Sequence, residues 1–164
     1  MLKSQFYLFS SFKIAYLYDC AIFLKIELKE FHMDNNIKNA KKWFKQSLHD
    51  LEMARKNISI EGYDIAAFLA HQSVEKLLKS IIILRKNKLP KTHLIDDLAR
   101  EINLSEKLID IINDLTVDYT FSRYPDISNS VPFEEYNEKI ADEKVKKAEI
   151  IFKKLKKEYS ILEN

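Results

Sequence analysis

The sequence feature that most constrains the fold is the segment of residues 63–86, which is apolar on more than one helical face. Spacings of three and four residues define two apolar rows: Ala66, Ala70, Ser73, Leu77, Ile81 and Leu84; and Ile65, Phe68, Leu69, Val74, Leu78 and Ile82. A helix with two apolar rows has little surface left for solvent, so it has to contact several neighbouring elements. We therefore predict that this helix lies at the centre of a helical bundle.

The remaining sequence favours an all-α fold. One glycine and three prolines in 164 residues leave few helix breakers, and they exclude glycine-rich phosphate loops. Apolar spacing predicts four further helices, over residues 37–58, 93–103, 106–119 and 134–161. Gly62 is predicted to take the left-handed conformation in the turn between the first two helices. Thr92 and Ser105 are the predicted N-caps of the third and fourth helices.

Metal and cofactor chemistry has little support in the sequence. The single cysteine, Cys20, cannot form an intrachain disulfide. The four histidines show no HxxH or HExxH spacing. We expect no metal site and no cofactor. The net charge of +2 gives no general attraction to nucleic acid or membranes, so any basic surface has to be local.

Residues 1–32 differ in character from the rest of the chain, because they contain eight aromatic residues and scattered lysines. Lys13 interrupts the apolar run, so a transmembrane helix is not expected. Three interpretations stay open: an upstream extension that is not translated because Met33 is the natural start, a peripheral helix, or an interfacial membrane segment. The bundle domain is expected over residues 37–160.

A polar cluster interrupts the apolar central helix: Gln72, Glu75, Lys76 and Lys79. One interpretation is a salt bridge on the helix surface, with Glu75 and Lys79 in the favourable i, i+4 order. The other is a phosphate or nucleotide pocket in which Lys76, Lys79 and Lys91 provide positive charge. Helical spacing does not decide between the two.

Two loop segments extend this candidate site. Lys91 and Thr92 precede the third predicted helix and His93 begins it, at a helix N-terminus where an anion would be favoured. Arg123, Tyr124 and Asp126 lie in the longest loop. Arg123 either anchors this loop by pairing with Glu75 or Asp126, or acts as a phosphate clamp, and both interpretations place it near the central helix.

Five short motifs, in order, resemble the HEPN family of helical domains from prokaryotes and higher eukaryotes. They are Trp43-x-x-Gln46-x-x-x-x-Asp50-Leu51-x-x-Ala54, Gly62-Tyr63-Asp64-x-Ala66-Ala67-Phe68, Gln72-x-x-Glu75-Lys76-x-x-Lys79, Pro90-Lys91-Thr92-His93-x-Ile95 and Arg123-Tyr124-Pro125-Asp126. The resemblance implies an up-and-down bundle of four to five helices, similar to the helical domain of kanamycin nucleotidyltransferase.

The resemblance also implies a function. It suggests a cytoplasmic homodimer, without a membrane partner, that binds a nucleotide or RNA and works with a minimal nucleotidyltransferase encoded nearby as a toxin–antitoxin-like pair. The alternative is a metal-independent ribonuclease toxin, since several branches use Arg, four to six residues and then His. This chain departs from that motif, because seven residues, one of them Pro90, separate Arg85 from His93. Arg85 and His93 are therefore an atypical candidate catalytic pair.

Overall fold

The computed structural model describes residues 35–163 together with residues 25 and 33, so the expectations for residues 1–32 lie, except for Lys25, outside the described residues. Residues 35–58 are helical and are called α1. Six further α-helices and a 3₁₀ turn follow: α2 (Tyr63–Lys86), α3 (Ile95–Glu101), α4 (Glu106–Thr116), α5 (Asp118–Phe121), α6 (Pro132–Glu135), α7 (Glu138–Tyr159) and the turn Ser160–Leu162. The prediction of an all-α fold is confirmed.

Helix α2 is the centre of the compact unit formed by Ile37–Asn164. It packs against α3, α4, α5, α6 and α7. Leu77, Leu78, Ile81 and Ile82 are fully buried, and each contributes about 1.5–3 kcal/mol through removal of its side chain from water. The two apolar rows of α2 therefore predicted its central position correctly.

Helix α1 joins the same core through its apolar stripe. Ala40, Phe44, Leu51 and Ala54 are buried in a cluster with residues of α2 and α7. The rings of Phe44 and Tyr159 lie 4.8 Å apart, which connects α1 to the C-terminal end of α7. This packing fixes the position of Asp50, the buried carboxylate on α1 that faces α2.

The predicted helix over residues 106–119 divides at Val117 into α4 and α5. Three further local predictions need correction. Gly62 has φ −80°, whereas its neighbour Glu61 has φ 63° and takes the left-handed position at the end of α1. Thr92 does not cap α3, because its hydroxyl accepts a hydrogen bond from the backbone N–H of Leu94 and the helix begins at Ile95. The third correction concerns the predicted helix over residues 134–161.

That segment is divided at Tyr136, whose backbone is extended between α6 and α7. The extended backbone directs the Tyr136 hydroxyl to the buried carboxylate of Asp118, to which it donates a 2.7 Å hydrogen bond. Asn137 then caps α7 by accepting the backbone N–H of Ile140. A buried polar contact therefore ends the short helix α6.

Among the described residues, no helix is both long and apolar enough to cross a membrane.

Candidate functional site

Glu75 is the centre of the polar cluster and is almost completely buried, with 3% of its surface exposed. Its position on α2 places it one turn from Lys79, whose Nζ lies 2.9 Å from Oε1 of Glu75. Lys79 is equally buried. A buried carboxylate and a buried ammonium in contact form an ion pair that solvent does not screen. The interpretation of this pair as an ordinary helix-surface salt bridge is therefore wrong.

The surroundings of Glu75 keep its carboxylate ionised. Burial alone would raise the pKa of Glu75, but the contacts from His71, Lys79 and His93 outweigh burial and lower that pKa to about 2. The side-chain amide of Gln72 also donates a hydrogen bond to Oε2, at 3.2 Å. At neutral pH the carboxylate of Glu75 is consequently an acceptor only.

His93 is held by this carboxylate in one orientation. Its Nδ1 lies 3.1 Å from Oε1 and 3.2 Å from Oε2 of Glu75. Because an ionised carboxylate can only accept, Nδ1 must carry the proton and donate it. Within the described part of the chain no group hydrogen bonds to Nε2 of His93, so in a neutral ring Nε2 is an available acceptor on a side chain that is 52% exposed. This arrangement presents a basic nitrogen to solvent.

His71 approaches Glu75 from inside the bundle. Its ring is fully buried, and Nδ1 lies 2.9 Å from the backbone carbonyl oxygen of Leu115, to which it donates. Nε2 lies 3.5 Å from Oε2 of Glu75, which is a close electrostatic contact and not a formed hydrogen bond. His71 therefore connects the C-terminal end of α4 to the polar cluster.

A chain of hydrogen bonds extends from Glu75 to α1. Gln72, which contacts Glu75, accepts a 2.8 Å hydrogen bond from Nζ of Lys76. Lys76 also pairs with Asp50 at 2.6 Å, and Asp50 accepts a 2.7 Å hydrogen bond from Gln46. Lys76 and Lys79 are thus each matched by a carboxylate. The Lys76–Asp50 pair connects α2 to α1, whereas Lys79 pairs with Glu75 within α2.

Tyr119 connects His93 to Arg123. The imidazole of His93 stacks on the Tyr119 ring with centroids 5.0 Å apart and planes 14° apart. The guanidinium carbon of Arg123 lies 4.1 Å from the centre of the same ring. Nε of Arg123 donates to the backbone carbonyl of Tyr119 at 2.8 Å. One aromatic residue therefore positions both the exposed imidazole of His93 and the partly buried guanidinium of Arg123.

Arg123 is surrounded by aromatic rings and not by carboxylates. Phe68 of α2 lies 4.9 Å from its guanidinium, which confirms that Arg123 is near the central helix, and Tyr124 lies 5.0 Å away. The prediction that Arg123 pairs with Glu75 or Asp126 is wrong, because no described carboxylate forms an ion pair with it. Its Nη2 is buried without a hydrogen-bond partner. Arg123 thus retains an uncompensated positive charge.

The structure brings together most of the predicted site residues: Gln72, Glu75, Lys76, Lys79, His93, Arg123 and Tyr124. Three others are not drawn into the cluster. Lys91 and Asp126 are exposed, and no hydrogen bond or ion pair links either to the cluster within the described part of the chain; Thr92 bonds only locally, to Leu94.

Arg85 and His93, the atypical candidate catalytic pair, do not contact each other in the structure. Arg85 hydrogen bonds instead to the backbone carbonyl of Ile102, at 3.4 Å, and to the carboxylate of Glu158 on α7. These contacts connect the C-terminal end of α2 to α7, whereas His93 is held by Glu75. The arginine that shares a neighbour with His93 is Arg123, through Tyr119.

Sequence reasoning missed the roles of Asp50, His71 and Tyr119. Asp50 and Lys76 are 26 positions apart on two helices, and no periodic pattern indicates that they meet. Tyr119 falls where α4 ends and the short helix α5 begins, so its direction depends on that break. A weak signal existed for His71, which precedes Glu75 by one helical turn.

Several known proteins are similar to this chain. The protein named "Putative toxin MJ1304" from Methanocaldococcus jannaschii is 28% identical over 137 residues, which cover 74% of this chain and 88% of that protein. The crystal structure of TT1696 from Thermus thermophilus superposes with a TM-score of 0.67 at 27% identity, covering 73% of this chain and 97% of that one.

A second solved structure and a family model identify the fold. ST0689, described as an archaeal HEPN homologue, superposes with a TM-score of 0.63 at 32% identity, covering 74% of this chain and 97% of ST0689. The model of the HEPN domain matches residues 40–159, which include every contact of the polar cluster described above. The chain therefore belongs to the HEPN domain family.

Proposed function

We propose that this chain is the toxin-like member of a two-component pair. In this proposal it is a homodimer that works with a minimal nucleotidyltransferase encoded nearby, and it binds the phosphate group of a nucleotide or RNA. The name of the relative "Putative toxin MJ1304" supports the toxin-like role. The observation that carries the binding proposal is the pair of groups around Tyr119, the guanidinium of Arg123 and the imidazole of His93.

Arg123 is suited to receive an anion because nothing in the described structure neutralises it. A guanidinium presents several N–H donors in a plane that matches the oxygens of a phosphate. Its Nε donor is already used by the carbonyl of Tyr119, which fixes the plane of the group. A phosphate that reached the remaining donors would supply the missing negative charge.

His93 and the loop before it complete the proposed site. The half-exposed imidazole can donate to a phosphate oxygen when protonated, and Nε2 can accept a hydrogen bond from a ribose hydroxyl when neutral. Lys91, Thr92 and Asp126 enter the proposal as residues at the edge of the site. Lys76 and Lys79 support it indirectly, since their pairing with Asp50 and Glu75 fixes the helix that carries Glu75.

Calorimetric titration of the full chain with ATP and GTP tests the binding proposal. We expect heat of binding for the unsubstituted protein and a reduction in affinity of about tenfold or more in Arg123→Ala and His93→Ala, because each loses a charge-assisted contact. Arg85→Ala is the matched control and should bind normally, because Arg85 contacts Ile102 and Glu158. Absence of heat at millimolar nucleotide would contradict the proposal.

The homodimer and the partner are tested separately. Sedimentation of the purified chain should give twice the mass of one chain. Coexpression with a minimal nucleotidyltransferase from the neighbouring reading frame should yield a copurifying complex and relieve toxicity. If the chain sediments as a monomer and does not copurify with the nucleotidyltransferase, the homodimer and the two-component pair are both wrong. The proposal that the chain binds a phosphate group would then still stand.

A second candidate function is ribonuclease activity, favoured by the Glu75–His93 contact. A carboxylate that holds Nδ1–H leaves Nε2 to take the proton from a ribose 2′-hydroxyl. The 2′-oxygen would attack the adjacent phosphorus, and the 5′-oxygen would leave with a proton from water. Arg123 would stabilise the charge that develops on the phosphate oxygens.

Structured RNA incubated with the full chain tests this second function. Cleavage that is lost in His93→Ala and Arg123→Ala but kept in Arg85→Ala would establish ribonuclease activity with His93 and Arg123 as the pair. Cleavage that persists in His93→Ala would exclude His93 as the base. RNA that binds without being cut would leave the binding function as the better account.

A further inference from the structure

We infer that Trp43 forms a stacking platform for a nucleobase, beside the phosphate site around His93 and Arg123. The occupant would be the base of a free nucleotide or an unpaired base of RNA. This inference rests on the proposed binding function, and it assigns the base to a surface that the phosphate site does not include.

The surface in question is a groove of about 210 Å³ between α1 and α2. It is lined by Lys42, Trp43, Gln46 and Lys76. Trp43 is only partly buried, although it packs against the hydrophobic core. An indole that is fixed by the core on one side and open on another is a rigid surface on which a flat, apolar ring can stack.

The charges around this groove suit a nucleotide more than an uncharged apolar ligand. Nζ of Lys79 lies 5.5 Å from the centre of the Trp43 ring, so this ring already contacts one cation. Lys42 is exposed and forms no ion pair within the described residues, which leaves its charge available for a phosphate. Aromatic surface flanked by lysine is the composition that binds single-stranded nucleic acid.

Gln46 provides a polar group at the edge of the groove. Its side-chain Nε2 donates to Asp50 at 2.7 Å, and Asp50 is held in turn by Lys76. The amide is thereby fixed with its carbonyl oxygen free to accept a hydrogen bond from the edge of a base. A stacking face and an oriented acceptor together distinguish a base from a general apolar ligand.

The groove and the phosphate site are close enough for one short ligand. The Trp43 ring centre lies 5.5 Å from Nζ of Lys79, Nζ lies 2.9 Å from Oε1 of Glu75, and that oxygen lies 3.1 Å from Nδ1 of His93. These three distances place the indole centre less than 12 Å from the imidazole of His93. This straight-line separation is within the span of one nucleotide or a dinucleotide segment. Because Lys79 and Glu75 between the two positions are buried, the ligand would pass over them at the surface.

Fluorescence of the full chain provides a direct test, because Trp43 is the only tryptophan in the sequence. We expect AMP to quench this fluorescence in a saturable manner, whereas pyrophosphate, which has no base, should bind without quenching it. A short single-stranded RNA forms the second arm. If AMP and RNA both quench the fluorescence, the groove accepts the base of a free nucleotide as well as that of RNA. If only RNA quenches it, the occupant is an unpaired base of RNA.

Variants examined by calorimetry separate the base site from the phosphate site. Trp43→Leu should weaken binding of the quenching ligand by about tenfold or more while leaving pyrophosphate affinity unchanged. Trp43→Phe retains an aromatic ring that packs on the core, so its loss of ligand affinity should be smaller. A loss as large as that of Trp43→Leu would point to a folding defect. Lys42→Ala should weaken binding, whereas Lys45→Ala, an exposed lysine outside the groove, should not.

The outcomes distinguish this inference from the function on which it rests. Nucleotide or RNA that binds with unaltered Trp43 fluorescence and equal affinity for Trp43→Leu would overturn the stacking platform and leave the phosphate site intact. If nucleotide, RNA and pyrophosphate all fail to bind, the proposed binding function and the platform are both wrong.

Discussion

Nδ1 of His93 lies 3.1 Å from Oε1 of Glu75, although the two residues are 18 positions apart in the sequence. Glu75 is buried in the middle of α2, and His93 lies in the loop between α2 and α3. The contact therefore fixes a loop residue to a buried carboxylate of the central helix. It gives an exposed imidazole a defined orientation, which a loop alone would not provide.

The charge of Glu75 is expected to be essential for stability. Glu75→Gln retains the shape of the side chain but leaves Lys79 as a buried cation without a counter-ion, so we expect a loss of about 3–5 kcal/mol in the free energy of unfolding. Urea denaturation measures this loss. Adding Lys79→Met to Glu75→Gln should restore part of it, because the uncompensated charge is removed.

The matched control for this prediction is Glu52→Gln on α1. Glu52 also forms an i, i+4 pair with a lysine, Lys56, but both side chains are more than half exposed. Solvent screens such a pair, so no measurable change in stability is expected. Equal losses for Glu75→Gln and Glu52→Gln would show that burial of the Glu75 pair has no energetic consequence.

The stability of the fold should decrease in acid because of Glu75. Its pKa is about 2 in the folded chain and about 4.5 in the unfolded chain, so the unfolded chain binds more protons between these values. The contribution of Glu75, about 3 kcal/mol, is therefore complete above pH 4.5 and is lost as the pH falls through 2. Urea denaturation at several pH values should show this slope in the unsubstituted protein and a smaller slope in Glu75→Gln.

Arg123 is expected to matter more for ligand binding than for folding. Arg123→Lys keeps the positive charge but loses the planar group that stacks on Tyr119, so we expect nucleotide affinity to fall by about tenfold. The control is Arg55→Ala, which removes an arginine whose pair with Glu149 is largely exposed. Calorimetry with ATP should show no change for Arg55→Ala. Equal affinities of Arg123→Lys and the unsubstituted protein would contradict a role for the guanidinium plane.

Tyr119 is expected to position both His93 and Arg123 through its ring. Tyr119→Phe keeps the ring and should retain nucleotide affinity, whereas Tyr119→Leu removes the surface on which both groups rest and should lower affinity several-fold. Calorimetry measures the affinities, and thermal unfolding shows whether either variant is unfolded. A loss of affinity in Tyr119→Phe would indicate that the hydroxyl, and not the ring, contacts the ligand.

Much of the fold was predictable because it depends on apolar periodicity. The rows that include Leu77 and Ile82 required a central helix, and α2 is central. The helix boundaries that could not be predicted depend on tertiary contacts. Tyr136 divides the last predicted helix because its hydroxyl reaches Asp118, 18 residues earlier in the chain.

Only part of the candidate site was predictable: the sequence indicated the polar residues of α2, His93 and Arg123, but not most of their contacts. Spacing within α2 joined Glu75 to Lys79, which the structure contains. It could not show that Asp50 of α1 would neutralise Lys76, nor that Arg123 would be surrounded by rings and not by carboxylates. Both depend on how separate helices meet. As a result, the positive charge of the proposed phosphate site comes from Arg123 and His93 more than from the lysines of α2.

Nitrogen NMR of the His93 imidazole tests the central claim of this account most directly. With Nδ1–H donated to Glu75, the neutral ring should be the Nδ1–H tautomer, and its unprotonated Nε2 should give the resonance that shifts when ATP or RNA is added. A neutral ring protonated at Nε2, or a His93 spectrum that saturating ligand leaves unchanged, would contradict the account.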